Sequence, residues 1–275
     1  MHEVVANGAK IPAIGFGTYG TVRAEMLRTL PAALKAGFRH VDTAQIYRNE
    51  MDVGECVASS GIPRSEIFLT TKVWVANYPE RSFASSLDQS LRNLRTDYVD
   101  LLLLHWPHEG VPLAEQIGLL NQAVRSGKVR HIGVSNFNRR LLEQAINLSA
   151  TPLVTNQFEY HPYLGQSLLA GATRQAGLAV TAYCAMAIGR VLGDPMLAEI
   201  AATHGRSIPQ VVLRWLIQQD GVVALSRTAN PNRLAENLAV FDFELGEDEI
   251  AAIQTLAEPN GRIVSPPGLA PAWDP

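Results

Sequence analysis

Cysteine is almost missing from this chain: Cys56 and Cys184 are the only two among 275 residues. They make no C-x-x-C pair, so a disulfide framework is not expected and both read as free thiols. The seven histidines, His2, His40, His105, His108, His131, His161 and His204, show no metal-ligand spacing, and no metal is expected. Charge is sparse as well, 18% of residues with a formal net charge of −3. Acids and bases are mixed along the chain without a basic stripe, which argues against a nucleic acid or an anionic membrane surface as partner. No apolar run approaches the roughly 20 residues that span a bilayer. The first ten residues, MHEVVANGAK, lack a charged region followed by an apolar stretch, so no secretory leader is expected. A cytoplasmic, monomeric protein acting on a small molecule is the expectation that remains.

What the sequence does contain begins with AIGFGTYGT, residues 13–21. Gly15, Gly17 and Gly20 spell G-x-G-x-x-G, and Asp42 follows at about the distance of a ribose-binding acid in a doubly wound dinucleotide fold. The flanks contradict that reading. Asn7-Gly8 between two apolar runs is a hairpin signal. Pro12, directly before the glycines, would remove a ladder donor from a central buried strand.

Beyond residue 21 the pattern alternates. Helical periodicity covers 22–36, ending at Gly37, then 49–61, 79–94, 112–126, 138–149, 166–177, 195–204, 208–219, 231–240 and 247–257. Between these lie apolar strand signatures: AIGFG, FRHVD, IFLTTK, YVDLLLLHW, VRHIGVS, LVTNQ, LAVTAY and GVVAL. Eight strands, each followed by at least one helix, predict a single-domain α/β chain over 1–275. It is a closed (β/α)8 TIM barrel with an N-terminal β-hairpin and two extra helices.

Active sites of such barrels assemble at the C-terminal strand ends. Here each apolar run gives way to a polar or aromatic group at that end: Asp42, Lys72, His105-Trp106, Ser135-Asn136, Asn156-Gln157, Tyr183 and Arg227. With Tyr47, the first three supply an acid, a lysine, a histidine and a phenol. A phenol ordinarily ionises near pH 10. An ammonium about 4 Å away, at an effective dielectric of about 20, would favour the phenolate by up to about 4 kcal/mol. That figure corresponds to about three pKa units. A carboxylate beside the lysine would hold it charged, and a neutral histidine would orient a carbonyl. Such a set suits protonation of a forming alkoxide.

At this point the chain resembles the aldo-keto reductases along essentially its whole length. GFRHVDTAQIYRNE is similar to the family stretch with the catalytic Asp and Tyr, LTTKVW to that with the Lys, and DYVDLLLLHWP to that with the His. KVRHIGVSNF and TNQFEYHPYL resemble two further signatures, and the spacings resemble those of short bacterial diketogluconate reductases. The resemblance implies NADPH-dependent reduction of a carbonyl compound, with NADH less favoured. It implies Tyr47 as general acid, assisted by Lys72 and Asp42, and His105 orienting the carbonyl. Ser135, Asn136 and Gln157 would hold the nicotinamide carboxamide and Tyr183 would stack on its ring. Thr18, Tyr19, Asp42 and Cys184 would line the cofactor. In LSRTANPNRLAEN, Leu225, Ser226, Arg227, Thr228, Arg233, Glu236 and Asn237 match positions holding the 2′-phosphate and adenine. A short loop after His105 implies an open substrate pocket rimmed by Tyr19, Tyr47, Trp74, His105 and Trp106.

Two departures stand out. Leu225-Ser226-Arg227-Thr228 replaces the common Ile-Pro-Lys-Ser, which keeps the charge but loses the proline. Cys184-Ala185-Met186 replaces Ser-Pro-Leu, putting a thiol where a hydroxyl is usual. Two rival functions follow from the fold alone: a cofactor-binding regulatory protein, and a barrel isomerase or lyase without nicotinamide. Four intact catalytic candidates disfavour the first, and Arg227 with Arg233 disfavours the second.

Overall fold

In the computed structural model, which describes residues 2–274, Asn7 and Gly8 both take positive φ, 44° and 87°. A tight turn of mirror-image type requires this, and it joins β1 (Glu3–Ala6) to β2 (Ala9–Pro12) antiparallel. Pro12 thus ends a hairpin strand, where its missing N–H is tolerated.

The alternation expected from the sequence follows. β3 (Ile14–Gly17) leads to α1 (Arg23–Ala36), β4 (His40–Asp42) to α2 (Glu50–Ala58), and β5 (Phe68–Val73) to α3 (Glu80–Leu94). β6 (Val99–Leu104) leads to α4 (Leu113–Arg125), β7 (Val129–Ser135) to α5 (Arg139–Leu148), and β8 (Leu153–Glu159) to α6 (Ser167–Gln175). β9 (Ala179–Tyr183) is followed by α7 (Pro195–His204) and α8 (Ile208–Ile217). β10 (Val222–Ser226) is followed by a short α9 (Leu234–Leu238) and by α10 (Glu247–Gln254). The strands β3 to β10 pair in parallel, and β10 closes on β3.

Boundaries shift by up to three residues, and two of the shifts have a clear cause. β8 continues two residues past Gln157, because Gln157, Phe158 and Glu159 pair with Thr181, Ala182 and Tyr183. The helix expected over 231–240 is a 3-10 turn, Pro231–Arg233, followed by α9. Gln210 Nε2 donates to the Glu236 and Ala239 carbonyls (3.2 and 2.9 Å), satisfying the last turn from outside and ending it there.

The period of two along each strand sorts the core. Leu69, Leu102, Leu104 and Val41 face outward under the helices, in the large apolar cluster. Phe68, Leu101, Leu103, Val154, Ala179 and Val223 fill the barrel, and Ala6, Ala9 and Ile11 of the hairpin plug its N-terminal end against them. Two residues further along the same inward face, Phe68 becomes Thr70 and then Lys72, and Leu101 and Leu103 lead to His105. An apolar floor gives way to a polar mouth.

Candidate active site

Lys72 is fully buried at the inward end of β5. Its ammonium donates to Asp42 Oδ1, at the end of β4, and to the Thr43 carbonyl at 2.9 Å. Tyr47 Oη lies 3.5 Å away. Tyr47 reaches this point from a 3-10 turn, Gln45–Tyr47, whose exit residue Arg48 is left-handed at φ 56°. Asp42 Oδ2 accepts from Gln157 Nε2 at 2.8 Å, across the barrel from β8. Both carboxylate oxygens are therefore occupied, and the four groups form one hydrogen-bonded unit. His105 stands edge-on to Tyr47, ring centroids 5.5 Å apart, and to Trp74 at 5.4 Å.

The protonation states follow from burial. Burial is the main cause that holds the His105 imidazole well below its ordinary range, with the Lys72 charge acting in the same direction, so the ring is neutral. Burial lowers Lys72, and Asp42 opposes that. Tyr47 corrects the expectation from sequence. Its pKa lies well above 10 rather than below, because its hydroxyl is withdrawn from water and the Asp42 carboxylate opposes a second negative charge. The ammonium expected to ease its ionisation is already committed to Asp42 and the Thr43 carbonyl. Tyr47 holds its proton at neutral pH, the form an acid needs.

The groups expected to hold the carboxamide converge here as well, but they bind one another. Ser135 Oγ donates to the Gln157 carbonyl at 3.0 Å. Asn136 Nδ2 donates to the His105 carbonyl and to Ser135 Oγ, both at 3.0 Å. Tyr183 Oη donates to Asn136 Oδ1 at 2.7 Å. Asn136 adopts a left-handed φ of 64° to allow this. Next to them, Asn156 Oδ1 and His105 Nδ1 are buried without a hydrogen-bond partner among the described residues. Thr18 donates its N–H and its Oγ1 to the Asp42 carbonyl (3.0 Å each), tying the β3–α1 loop to the site.

At the end of β10, Ser226 Oγ accepts from the buried Asn237 Nδ2 at 2.9 Å, and Leu225 packs over Gly15. Arg227, Thr228 and Arg233 stand above them, with Arg227 and Arg233 exposed and Glu236 half-buried. Guanidinium and hydroxyl donors on the open side of a sheet end are the donor chemistry a phosphate takes. The residues present thus fit the phosphate groups of a nicotinamide dinucleotide. Among the described residues, no group of three or more His, Cys, Asp or Glu could hold a metal ion, and no helix is long and apolar enough to cross a membrane.

Residues 13–258 match the family model described as the aldo/keto reductase family. The chain belongs to the aldo-keto reductase family. It is 42% identical to methylglyoxal reductase DkgB of Salmonella typhi over 267 residues, covering 96% of this chain and 99% of that one. It is 43% identical over 256 residues to an aldo-keto reductase of Mycobacterium sp. (strain MCS), covering 92% and 89% of the two chains. Among solved structures it is similar to one described as "a putative 2,5-diketo-D-gluconic acid reductase B", with 59% identity, a TM-score of 0.99 and coverage of 100% and 98%. The protein is therefore an oxidoreductase of a family that uses nicotinamide cofactors.

Around the mouth of this aldo-keto reductase the residues expected on the rim differ in exposure. Tyr19 is 71% exposed and stands edge-on to Tyr47 at 5.1 Å, and Trp74 is half-buried. Like His105, Trp106 is buried. Its backbone exchanges hydrogen bonds with Tyr78 Oη (2.7 and 3.3 Å), and its ring packs on Trp273 at 6.3 Å. Trp273 belongs to the C-terminal tail, a wall that sequence reasoning missed. The tail is anchored twice. Glu159 accepts the Ile263 and Val264 N–H groups (2.7 and 2.8 Å), and Asp274 accepts from Arg139 N at 2.9 Å. Next to the first anchor, the Arg262 guanidinium lies 3.7 Å over the Trp273 ring. His161 binds Glu159 at 2.9 Å and completes the first anchor. Nothing local marks the tail, since its partners lie more than a hundred residues upstream.

Proposed function

We propose that this aldo-keto reductase reduces aldehydes or ketones to alcohols, using NADPH in preference to NADH, with Tyr47 as the acid that protonates the developing alkoxide. The observation that carries the reading is the buried Asp42–Lys72 pair beside the Tyr47 hydroxyl, with a neutral His105 edge-on to the phenol. When bound, the dinucleotide supplies a hydride to the carbonyl carbon. The chain supplies the rest. Neutral His105 holds the carbonyl oxygen near Tyr47 Oη. Tyr47 gives its proton to that oxygen as charge develops on it, and the Lys72 ammonium 3.5 Å away stabilises the phenolate left behind. Asp42, fixed by Gln157, keeps Lys72 charged and aimed. Ser135, Asn136, Gln157 and Tyr183 would hold the nicotinamide end, and Arg227, Thr228, Arg233 and Asn237 the adenosine end. All these groups come from one chain, so a monomer suffices.

The decisive assay mixes purified protein with NADPH and a panel of carbonyl compounds and follows cofactor oxidation. Methylglyoxal and 2,5-diketo-D-gluconic acid, the compounds in the relatives' names, head the panel. Tyr47→Phe should lower kcat about 10²- to 10⁴-fold, the range of a general acid, while NADPH still binds. A Tyr47→Phe variant as fast as the parent would refute the assignment of the acid. NADPH binding with no turnover across the panel would favour the regulatory protein.

A further inference from the structure

Arg227 does not stand free. Its side chain leaves the end of β10 and crosses to the loop before α1. Nε donates to Thr21 Oγ1 at 3.1 Å, and Nη2 donates to the Gly20 carbonyl at 3.3 Å and to Glu25 Oε1 at 3.1 Å. Glu25 sits in the first turn of α1, with its side chain 17% exposed against 43% for Arg227. Gly20, at φ 68° with no atom within 4 Å of where a Cβ would stand, brings its carbonyl into this contact. Since β10 pairs with β3, the side chain spans the gap between two adjacent loops at the barrel mouth.

A guanidinium has five N–H donors in a fixed fork, and it grips a phosphate through two parallel ones. Three of Arg227's five are taken by these contacts, including both on Nη2. Only the Nη1 pair is free, which cannot form the fork that joins Nη1 to Nη2 or Nε to Nη2. Bidentate contact with a phosphate therefore requires Arg227 to leave Glu25. Arg28, one turn along α1, donates to the Ala229 carbonyl at 3.1 Å. Arg28 and Arg233 have no carboxylate partner among the described residues, so Glu25 opposes Arg227 alone.

We propose that Glu25 is a specificity-determining positioning residue: by clasping Arg227 to the β3–α1 loop it competes with the 2′-phosphate and narrows the preference for NADPH over NADH. The inference rests on the reading that the mouth binds a nicotinamide dinucleotide. It locates the discrimination in a competition between a carboxylate of this chain and the phosphate of the ligand.

Equilibrium binding tests it without turnover. Kd values for NADPH, NADH and 2′,5′-ADP are measured by protein fluorescence or calorimetry on the parent, Glu25→Gln, Arg227→Gln and the double variant. Glu25→Gln should tighten NADPH and 2′,5′-ADP about fivefold, the scale of an exposed ion pair, and leave NADH unchanged. The gain should vanish in the Arg227→Gln background and shrink as salt rises. Unchanged Kd ratios in Glu25→Gln would overturn the clasp and leave the cofactor reading intact. So would a gain that persists undiminished without Arg227, because it would report the general field of Glu25. A parent chain that binds neither dinucleotide would overturn both.

Discussion

Tyr47 and Lys72 show how burial can outweigh the effect that a charged neighbour should have. A phenol beside an ammonium should ionise early, yet this ammonium already serves Asp42 and the Thr43 carbonyl. Burial then dominates, and Tyr47 is held well above 10. The consequence is a pH profile. His105 stays neutral well below pH 6.5, and Tyr47 stays protonated well past pH 10. In the direction of reduction, single-turnover rates should therefore be flat between pH 7 and about 9, and decline only on the far alkaline side. A limb with an apparent pKa near 7 in that assay would show that Tyr47 ionises early after all. Asp42, Lys72, His105 and Tyr47 were each legible in sequence, because each ends or follows an apolar run at the same end of the barrel. The bond from Gln157 to Asp42 was not, because it joins residues 115 positions apart.

At the scale of elements, the glycines of AIGFGTYGT show what a motif means once its strand is placed. They do not wrap a pyrophosphate at the start of a helix in a doubly wound sheet. Gly15 and Gly17 lie in β3, the first barrel strand, and Gly20 in the loop after it. A Cβ on Gly15 would stand 2.7 Å from His40 Nδ1 and from Leu225 Cδ2, whereas one on Gly17 would meet nothing closer than 3.8 Å. His40 cannot turn away freely, since its other nitrogen lies 3.2 Å from Thr70 Oγ1 and its ring is edge-on to Phe68. Gly15→Ala should therefore cost about 1–3 kcal/mol in urea unfolding, and Gly17→Ala less than about 1 kcal/mol. Equal losses would mean that strand flexibility rather than this contact sets the requirement. The short α9 and the double-anchored tail belong to the same scale: Gln210 and Glu159 shape both from other elements.

Across the whole molecule, the polar layer inside the barrel makes stability depend on pH. His40 is buried and neutral, its pKa lowered to about 4 from 6.5 chiefly by burial. Its protonation favours the unfolded chain. The contribution is therefore complete above pH 6.5 and is lost progressively as the pH falls from 6.5 to about 4. His105, also lowered by burial, adds to the slope in that region. Unfolding free energy plotted against pH should fall over this interval. A His40→Asn variant, whatever its absolute stability, should show a slope shallower by up to about 1.4 kcal/mol per pH unit, one proton's worth. An unchanged slope would place the titration elsewhere.

The order of strands and helices, the hairpin and the gathering of Asp42, Tyr47, Lys72 and His105 at one end of the barrel were determined by the sequence alone, because each rests on local signals: period, turn chemistry, and the change from apolar to polar at a strand end. Burial and long-range pairing decided the remainder. Whether Tyr47 ionises early, what Trp106 packs against, and whether Arg227 is free or clasped by Glu25 all depend on neighbours brought together only when the barrel closes. A side chain's chemistry is set by what displaces water around it, and for these residues that comes from distant segments of the chain.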